Sequence, residues 1–148
     1  MRGRFGDTSG RPYIEGRLII PRLDITTDIS FLIDTGADLT VLNPLDGFRM
    51  KVDYSQLTGD REVVGVGGLC HNYVEPTLVV FSEHKKFLYV YNIELEITPP
   101  NPEIMDIPSL LGRDILNRWR MTYNPSKNRL TCKVISADMV IPISNQET

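Results

Sequence analysis

Apolar positions alternate with a period of two along much of the chain, which is typical of β-strands. In the segments 14–20, 29–33 and 87–97, every second residue lies on one predominantly apolar face. Segment 77–81 is a shorter, fully apolar run of the kind found in buried strands. This pattern predicts an all-β protein built on a mostly antiparallel sheet.

One segment has the spacing of a helix, Gly112 to Trp119. Ile115 and Leu116 share an apolar face with Trp119, and Asp114 lies in the first turn, where the helix dipole favours an acid. The sequence therefore predicts one short helix near the C-terminus.

The remaining segments divide into strands, loops and tails. Segments 121–123 and 130–135 are predicted to pair as a hairpin, because the residues between them are rich in turn formers. The proline-rich stretch Thr98–Pro102 is predicted to be a surface loop. Residues 1–11 and 144–148 are predicted to be flexible tails.

Length and charge narrow the class of protein. A chain of 148 residues is expected to form a single domain, spanning 1–148, without metals or disulfides to stabilise it. The formal net charge is −3, from 16 Lys and Arg against 19 Asp and Glu, and there is no basic block. Nucleic acid and anionic membranes are therefore not expected as partners.

The two cysteines and the lengths of the apolar runs indicate the cellular compartment in which the protein is expected. Cys70 and Cys132 are far apart and form no zinc-binding pair, and no metal site is expected. The longest apolar runs, Leu18–Ile20 and Leu78–Phe81, are too short for a signal peptide or a membrane span. We expect a cytoplasmic protein whose thiols stay reduced.

The segment Ile29–Leu42 carries the candidate chemistry. A strand ends on Asp34, the chain turns through Thr35 and Gly36, and an apolar strand resumes. An acid that follows apolar residues is suited to acid–base catalysis, and glycine permits close approach of the backbone. An ordinary aspartate-stabilised turn would have the same local sequence.

Three segments, in order, resemble the retropepsin-like aspartic peptidases, the clan of the retroviral proteases. Phe31–Ala37 resembles the active-site motif, Val63–Leu69 the glycine-rich hairpin tip called the flap, and Leu110–Leu116 the second signature, which opens the helix. The resemblance implies a retropepsin-like acid protease barrel, equivalent to half of a pepsin, with one short C-terminal helix.

The resemblance also implies the mechanism. Two aspartates share one proton and activate a water molecule, so no cofactor other than water is needed. The sequence contains a single Asp-Thr-Gly motif, at Asp34–Gly36. The similar segment Asp7-Thr8-Ser9 does not count as a second copy, because it has serine in place of the glycine. The catalytic pair then requires Asp34 from each subunit of a homodimer that acts on polypeptides.

Roles for the neighbouring residues follow from the same resemblance. Thr35 is expected to hydrogen-bond across the dimer axis, and Gly36 to accept a hydrogen bond from the substrate. Ala37 replaces a serine or threonine, which removes a hydrogen bond to the carboxylate and implies activity at less acidic pH. Asp38 and Arg113 correspond to an ion pair that braces the loop against the helix, although Arg113 could instead be an exposed surface charge.

The segment Val64–Gly68 has more than one interpretation. It could be a phosphate-binding loop, although no helix or Lys-Ser/Thr pair follows, or an ordinary flexible hairpin. As a flap, Gly65, Val66 and Gly67 would contact an extended peptide, with Val66 as the apolar contact.

Departures from the family pattern keep a second function open. Segments 44–60 and 76–108 are longer than in the compact retroviral enzymes, and Leu39 replaces a frequent second acid. The residues after 125 leave the mode of dimerisation undetermined. The alternative to an endopeptidase is a non-catalytic binding or dimerisation module with the same fold; an enzyme specialised for one processing event is a third interpretation.

Overall fold

Long antiparallel strands make up most of the fold. The computed structural model describes residues 1–65 and 68–144. Its strands are β1 (Arg4–Phe5), β2 (Pro12–Ile20), β3 (Ile25–Ile33), β4 (Val41–Leu42), β5 (Gly59–Gly65), β6 (Gly68–Glu83), β7 (Phe87–Ile97), β8 (Leu110–Leu111), β9 (Trp119–Asn124), β10 (Arg129–Val134) and β11 (Met139–Pro142). Two short helices, α1 (Pro44–Arg49) and α2 (Arg113–Leu116), interrupt them.

Six strands close into a barrel in the order β2-β3-β8-β4-β7-β6, and pairing of β2 with β6 completes the ring. Three further strands extend it: β1 pairs with β2, β5 with β6, and β11 with β7. Strands β9 and β10 form a separate hairpin. The predicted fold class, an all-β retropepsin-like barrel, is confirmed.

Alternation along the strands separates the core from the outer face. Phe31 and Ile33 of β3 are buried, whereas Leu32 between them is half-buried. An aromatic group fills one part of the core, where Phe81 meets Trp119 edge to face with ring centroids 4.8 Å apart. The indole nitrogen of Trp119 donates to the Tyr91 hydroxyl at 2.7 Å, which satisfies this buried polar group.

The helices differ from the predicted one. Helix α2 ends at Leu116, and Trp119 begins β9, because its indole packs in the core while its backbone pairs with Val134. Helix α1, at Pro44–Arg49, is not indicated by the apolar pattern. Neither helix is long and apolar enough to cross a membrane, for residues 1–65 and 68–144.

The N-terminal residues also differ from the expected tail. Met1 is buried, and the Gly3 amide donates to the carbonyl of Leu130 at 2.8 Å. Phe5 of β1 meets Tyr123 edge to face, with ring centroids 5.3 Å apart. The expectation of a tail therefore does not hold for residues 1–5, whereas most of the expected tail at 144–148 lies outside the described residues.

Candidate active site

Asp34 lies at the end of β3, where the strand opens into a tight loop. Its amide donates to the carbonyl of Leu111 at 3.0 Å, which continues the pairing of β3 with β8 by one residue. Its carbonyl accepts from the Ala37 amide at 3.2 Å, which closes the turn. The amide of Gly36 donates to Asp34 Oδ1 at 2.8 Å and orients the carboxylate. Asp34 is half-exposed, and Thr35 and Gly36 are exposed.

Arg113, at the start of α2, stabilises this loop through hydrogen bonds and an ion pair. Its guanidinium donates through Nη1 to the Thr35 carbonyl at 2.8 Å and forms an ion pair with Asp38. Its backbone amide donates to the Ala37 carbonyl at 2.8 Å. The four sequence-predicted residues Thr35, Ala37, Asp38 and Arg113 are therefore joined in one brace next to Asp34 in the chain.

A second brace, formed by Thr40, Gly112 and Asp114, was missed by sequence reasoning. The Thr40 hydroxyl donates to Asp114 Oδ1 at 2.7 Å and accepts from the Gly112 amide at 3.2 Å. A Cβ at Gly112 would lie 2.4 Å from the Leu39 carbonyl, so glycine is required for the chain to pass this closely. The glycine of the second signature was the available sequence signal for this contact.

Three apolar residues lie on the same face of the barrel sheet as Asp34. Alternation along β3 puts Leu32 and Asp34 on the same face, opposite to the core. Leu32 is paired with Leu110 of β8, and Leu110 with Val41 of β4. All three apolar residues are half-buried. They form a strip, here called the apolar wall, that is defined by Leu32, Leu110 and Val41 and adjoins the Asp34 carboxylate.

The glycine-rich hairpin is formed by β5 and β6. Their pairing extends from Gly59 opposite Val74 to Gly65 opposite Gly68. Gly68 has φ +122°, which favours glycine. Two of the three residues predicted to contact substrate, Val66 and Gly67, lie outside the described residues. The hairpin itself, with Gly65 at the end of β5, corresponds to the place where the resemblance expects a flap.

The cysteines and histidines of the chain are distributed over β6, the turn after it and β10. Cys70 and His71 are exposed on β6, His84 lies in the turn that ends this strand, and Cys132 is buried in β10. In the described part of the chain, no three His, Cys, Asp or Glu side chains are grouped as metal ligands.

Comparison with known proteins identifies the family. The model of the family described as retroviral aspartyl protease matches residues 11–124. The chain belongs to this family. Within the family match lie Asp34, the β5–β6 hairpin and the start of α2. A search of curated protein sequences found no significant match.

Two solved structures are similar in fold. A retropepsin-like aspartic protease from Rickettsia conorii superposes with a TM-score of 0.60 at 20% sequence identity, covering 88% of this chain and 87% of that chain. The EIAV protease, solved with the inhibitor HBY-793, gives a TM-score of 0.46 at 23% identity, covering 76% of this chain and 90% of that chain. At 20% identity, the first likeness supports the retropepsin fold.

Proposed function

We propose that the chain is an aspartic endopeptidase that hydrolyses internal bonds of polypeptides as a homodimer. The observation that carries the proposal is the Asp34 carboxylate, half-exposed at the end of β3 and oriented by the Gly36 amide at 2.8 Å. The loop around it is braced by Arg113, which donates to the Thr35 carbonyl at 2.8 Å. A rigid, accessible carboxylate of this kind is suited to acid–base catalysis.

The proposed chemistry uses two Asp34 side chains, one from each subunit. Two adjacent carboxylates do not both ionise readily, so the pair carries one proton. The ionised Asp34 takes a proton from the attacking water, while the protonated one donates to the oxygen of the peptide carbonyl. In the tetrahedral intermediate, the Asp34 that took the water's proton gives it to the leaving nitrogen, and a hydroxyl of the intermediate returns a proton to the other Asp34. The C–N bond then breaks and releases the amine and the new carboxyl group. A single carboxylate supplies only half of this pair, and for that reason dimerisation is part of the mechanism.

Neighbouring residues have supporting roles in this proposal. Thr35, exposed at the tip of the loop, hydrogen-bonds across the dimer axis, and Gly36 offers its carbonyl to the substrate. The glycine-rich segment with Gly65, Val66 and Gly67 covers an extended peptide and adds it to the sheet as a further strand. The apolar wall beside Asp34 favours apolar side chains next to the cleaved bond.

The test is cleavage of an unfolded protein mixture by the purified chain. Wild type is expected to cleave, to be blocked by a statine-type transition-state mimic, and to lose activity in Asp34→Asn. Asp106→Asn makes the same chemical change at an exposed loop position and serves as the matched control. Sedimentation of each variant separates loss of chemistry from loss of assembly.

Either of two results would decide against the proposal. If Asp34→Asn cleaved as fast as wild type, Asp34 would not be the catalytic acid. If wild type showed no cleavage while folded, the alternative of a non-catalytic binding or dimerisation module would be favoured.

A further inference from the structure

A cluster of charged and polar side chains spans three neighbouring strands beside the apolar wall. Arg61 of β5 lies between two acids of β7, with Nη2 3.3 Å from Glu94 Oε2 and Nη1 3.5 Å from Glu96 Oε1. Asn72 of β6, which faces Arg61 in the register, donates through Nδ2 to Glu96 Oε2 at 3.3 Å. We call these four residues, Arg61, Asn72, Glu94 and Glu96, the charged cluster.

Pairing between strands joins the charged cluster to the apolar wall. Glu96 is the direct partner of Val41, and its amide donates to the carbonyl of Thr40 at 3.1 Å. Residues paired in this way share a face of the sheet, and neighbouring strands are about 4.8 Å apart. Glu96 therefore follows Leu110 and Val41 as the next position of the same face, leading away from Asp34.

Arg61, in the β5–β6 hairpin, contributes the positive charge of the cluster. Along β5, Arg61 and Val63 are half-buried, whereas Glu62 and Val64 between them are exposed. The half-buried face of β5 is thus the one that carries Arg61 toward β7. The charged cluster consequently connects the strand of the proposed flap to the wall next to the proposed catalytic residue.

The charges in the cluster do not balance. One guanidinium faces two carboxylates, which leaves one formal negative charge. The Glu96 side chain is 10% exposed and those of Arg61 and Glu94 are 39% and 68% exposed, so the open side of the cluster presents the Glu94 carboxylate. A cation that approaches from the apolar wall would meet unbalanced negative charge in a partly desolvated setting, where ion pairing is stronger than in bulk water.

We propose that the charged cluster is a specificity subsite for a lysine or arginine side chain of the substrate. The proposal rests on the proposed endopeptidase function. The aliphatic stem of such a side chain lies along Val41 and Leu110, and its charged head reaches Glu94 and Glu96, because long basic side chains cover apolar surface while keeping the charge solvated. Arg61 competes with the substrate cation for the same two carboxylates.

The test compares peptides that differ by one charge. A peptide cleaved by wild type is synthesised with lysine, acetyl-lysine or glutamate at each of the three positions on either side of the cleaved bond. Wild type is expected to prefer lysine over acetyl-lysine at one position by roughly twofold to fivefold in kcat/KM, as for a partly exposed ion pair. Glu94→Gln and Glu96→Gln should lower that ratio, and the double variant should bring it near one.

The variant Arg61→Gln distinguishes a role of the charged cluster in substrate selection from a purely structural role in supporting the hairpin. Because Arg61 competes with the substrate, its removal is expected to raise the lysine to acetyl-lysine ratio, whereas a purely structural role would lower kcat/KM for all peptides alike. Glu62→Gln is the matched control, since Glu62 lies on the same strand with its side chain on the exposed face; it should leave the ratio unchanged.

The outcomes separate this proposal from the one on which it rests. A wild-type ratio near one at every position, or a ratio unchanged in Glu94→Gln/Glu96→Gln, overturns the subsite while cleavage itself upholds the endopeptidase. If wild type cleaves no peptide, the endopeptidase proposal fails. The subsite is then tested by fluorescence anisotropy, which measures binding to Asp34→Asn of labelled apolar peptides that carry lysine or acetyl-lysine at a single position. A lysine preference that depends on Glu94 and Glu96 supports it, and equal binding or no binding overturns it.

Discussion

Asp114 binds Thr40 through both of its carboxylate oxygens. Oδ2 accepts from the Thr40 amide at 3.0 Å and Oδ1 from its hydroxyl at 2.7 Å, across 74 residues of sequence. This contact fixes the chain where the Asp34 loop enters β4. Together with the Arg113 brace, it adds long-range contacts to the local hydrogen bonds from Gly36 and Ala37 that close the loop.

Replacement of Thr40 should reveal how much the loop depends on that contact. Thr40→Val removes the hydroxyl, so that the buried Gly112 amide loses an acceptor and Asp114 Oδ1 loses a donor. Unsatisfied buried groups of this kind cost about 1–3 kcal/mol, and urea unfolding should show a loss of that order. Thr40→Ser keeps the hydroxyl and should retain most of the stability. Equal stability of the two variants would contradict the role assigned to this hydroxyl.

Mixing subunits tests whether two copies of Asp34 form one catalytic site. When wild type is equilibrated with an equal amount of Asp34→Asn, random exchange leaves about a quarter of the dimers with two intact aspartates. Total activity should then fall to about half of that of the same quantity of wild type alone, since unmixed wild type would have all of its subunits in intact pairs. If each chain worked by itself, the inactive variant would leave total activity unchanged. The measurement is the initial rate of peptide cleavage after equilibration, with bovine serum albumin in place of the variant as a control.

Asp138, directly before β11, should make the attachment of this strand pH-dependent. Its pKa is lowered because the Asn92 amide donates to Oδ2 at 2.7 Å and Arg118 pairs with Oδ1 at 2.8 Å. A carboxyl whose pKa is lower in the folded state stabilises the fold above its unfolded pKa of about 3.9, and this contribution disappears as the pH falls through the folded pKa.

Asp138→Asn is therefore expected to be less stable than wild type near pH 7, and the difference should shrink below about pH 4. Urea midpoints at a series of pH values measure it, with Asp106→Asn as the control for loss of one exposed acid. If the difference in urea midpoint between Asp138→Asn and wild type stayed constant from pH 7 to pH 2, the ionised Asp138 would not be what anchors β11.

The two cysteines should react at very different rates. Cys132 is buried, and burial raises the pKa of its thiol to about 11, whereas Cys70 is exposed on β6. Because the thiolate is the reactive form, iodoacetamide at pH 8 should label Cys70 in the folded protein and Cys132 only after unfolding. Mass spectrometry of Cys70→Ser and Cys132→Ser separates the two sites. Rapid labelling of folded Cys70→Ser would show that Cys132 is accessible.

Local patterns were enough to predict the central motif and parts of β2, β3, β6, β7, β9 and β10, but not β1 or β11. Strand β7 has the predicted bounds, 87–97, because alternation continues without interruption over its whole length. The turn at His84 and Lys85, where both residues have positive φ, ends β6 and leads directly into this strand. Asp34, Thr35 and Gly36 were found because their order in the chain is itself the signal.

Features that depend on contacts between residues far apart in the sequence could not be predicted from local patterns. Helix α1 has six residues and contains Gly47, so propensity gives it little support. Trp119 fits a helical spacing, but its packing against Phe81 belongs to the tertiary structure. The link between Thr40 and Asp114, and the cluster formed by Arg61 and Glu96, join residues that no periodicity brings together.

The distance in sequence between the Asp34 loop and its supports has a consequence for synthesis. A nascent chain that has exposed Asp34 but not yet Gly112 lacks the strand and helix on which that loop rests. The hydrogen bonds from Gly36 and Ala37 are local to the turn, but the contacts from Arg113 and Asp114 that brace it are missing until those residues have been made. The order of translation therefore delays completion of the braces around the Asp34 loop until the residues that follow β8 have been synthesised.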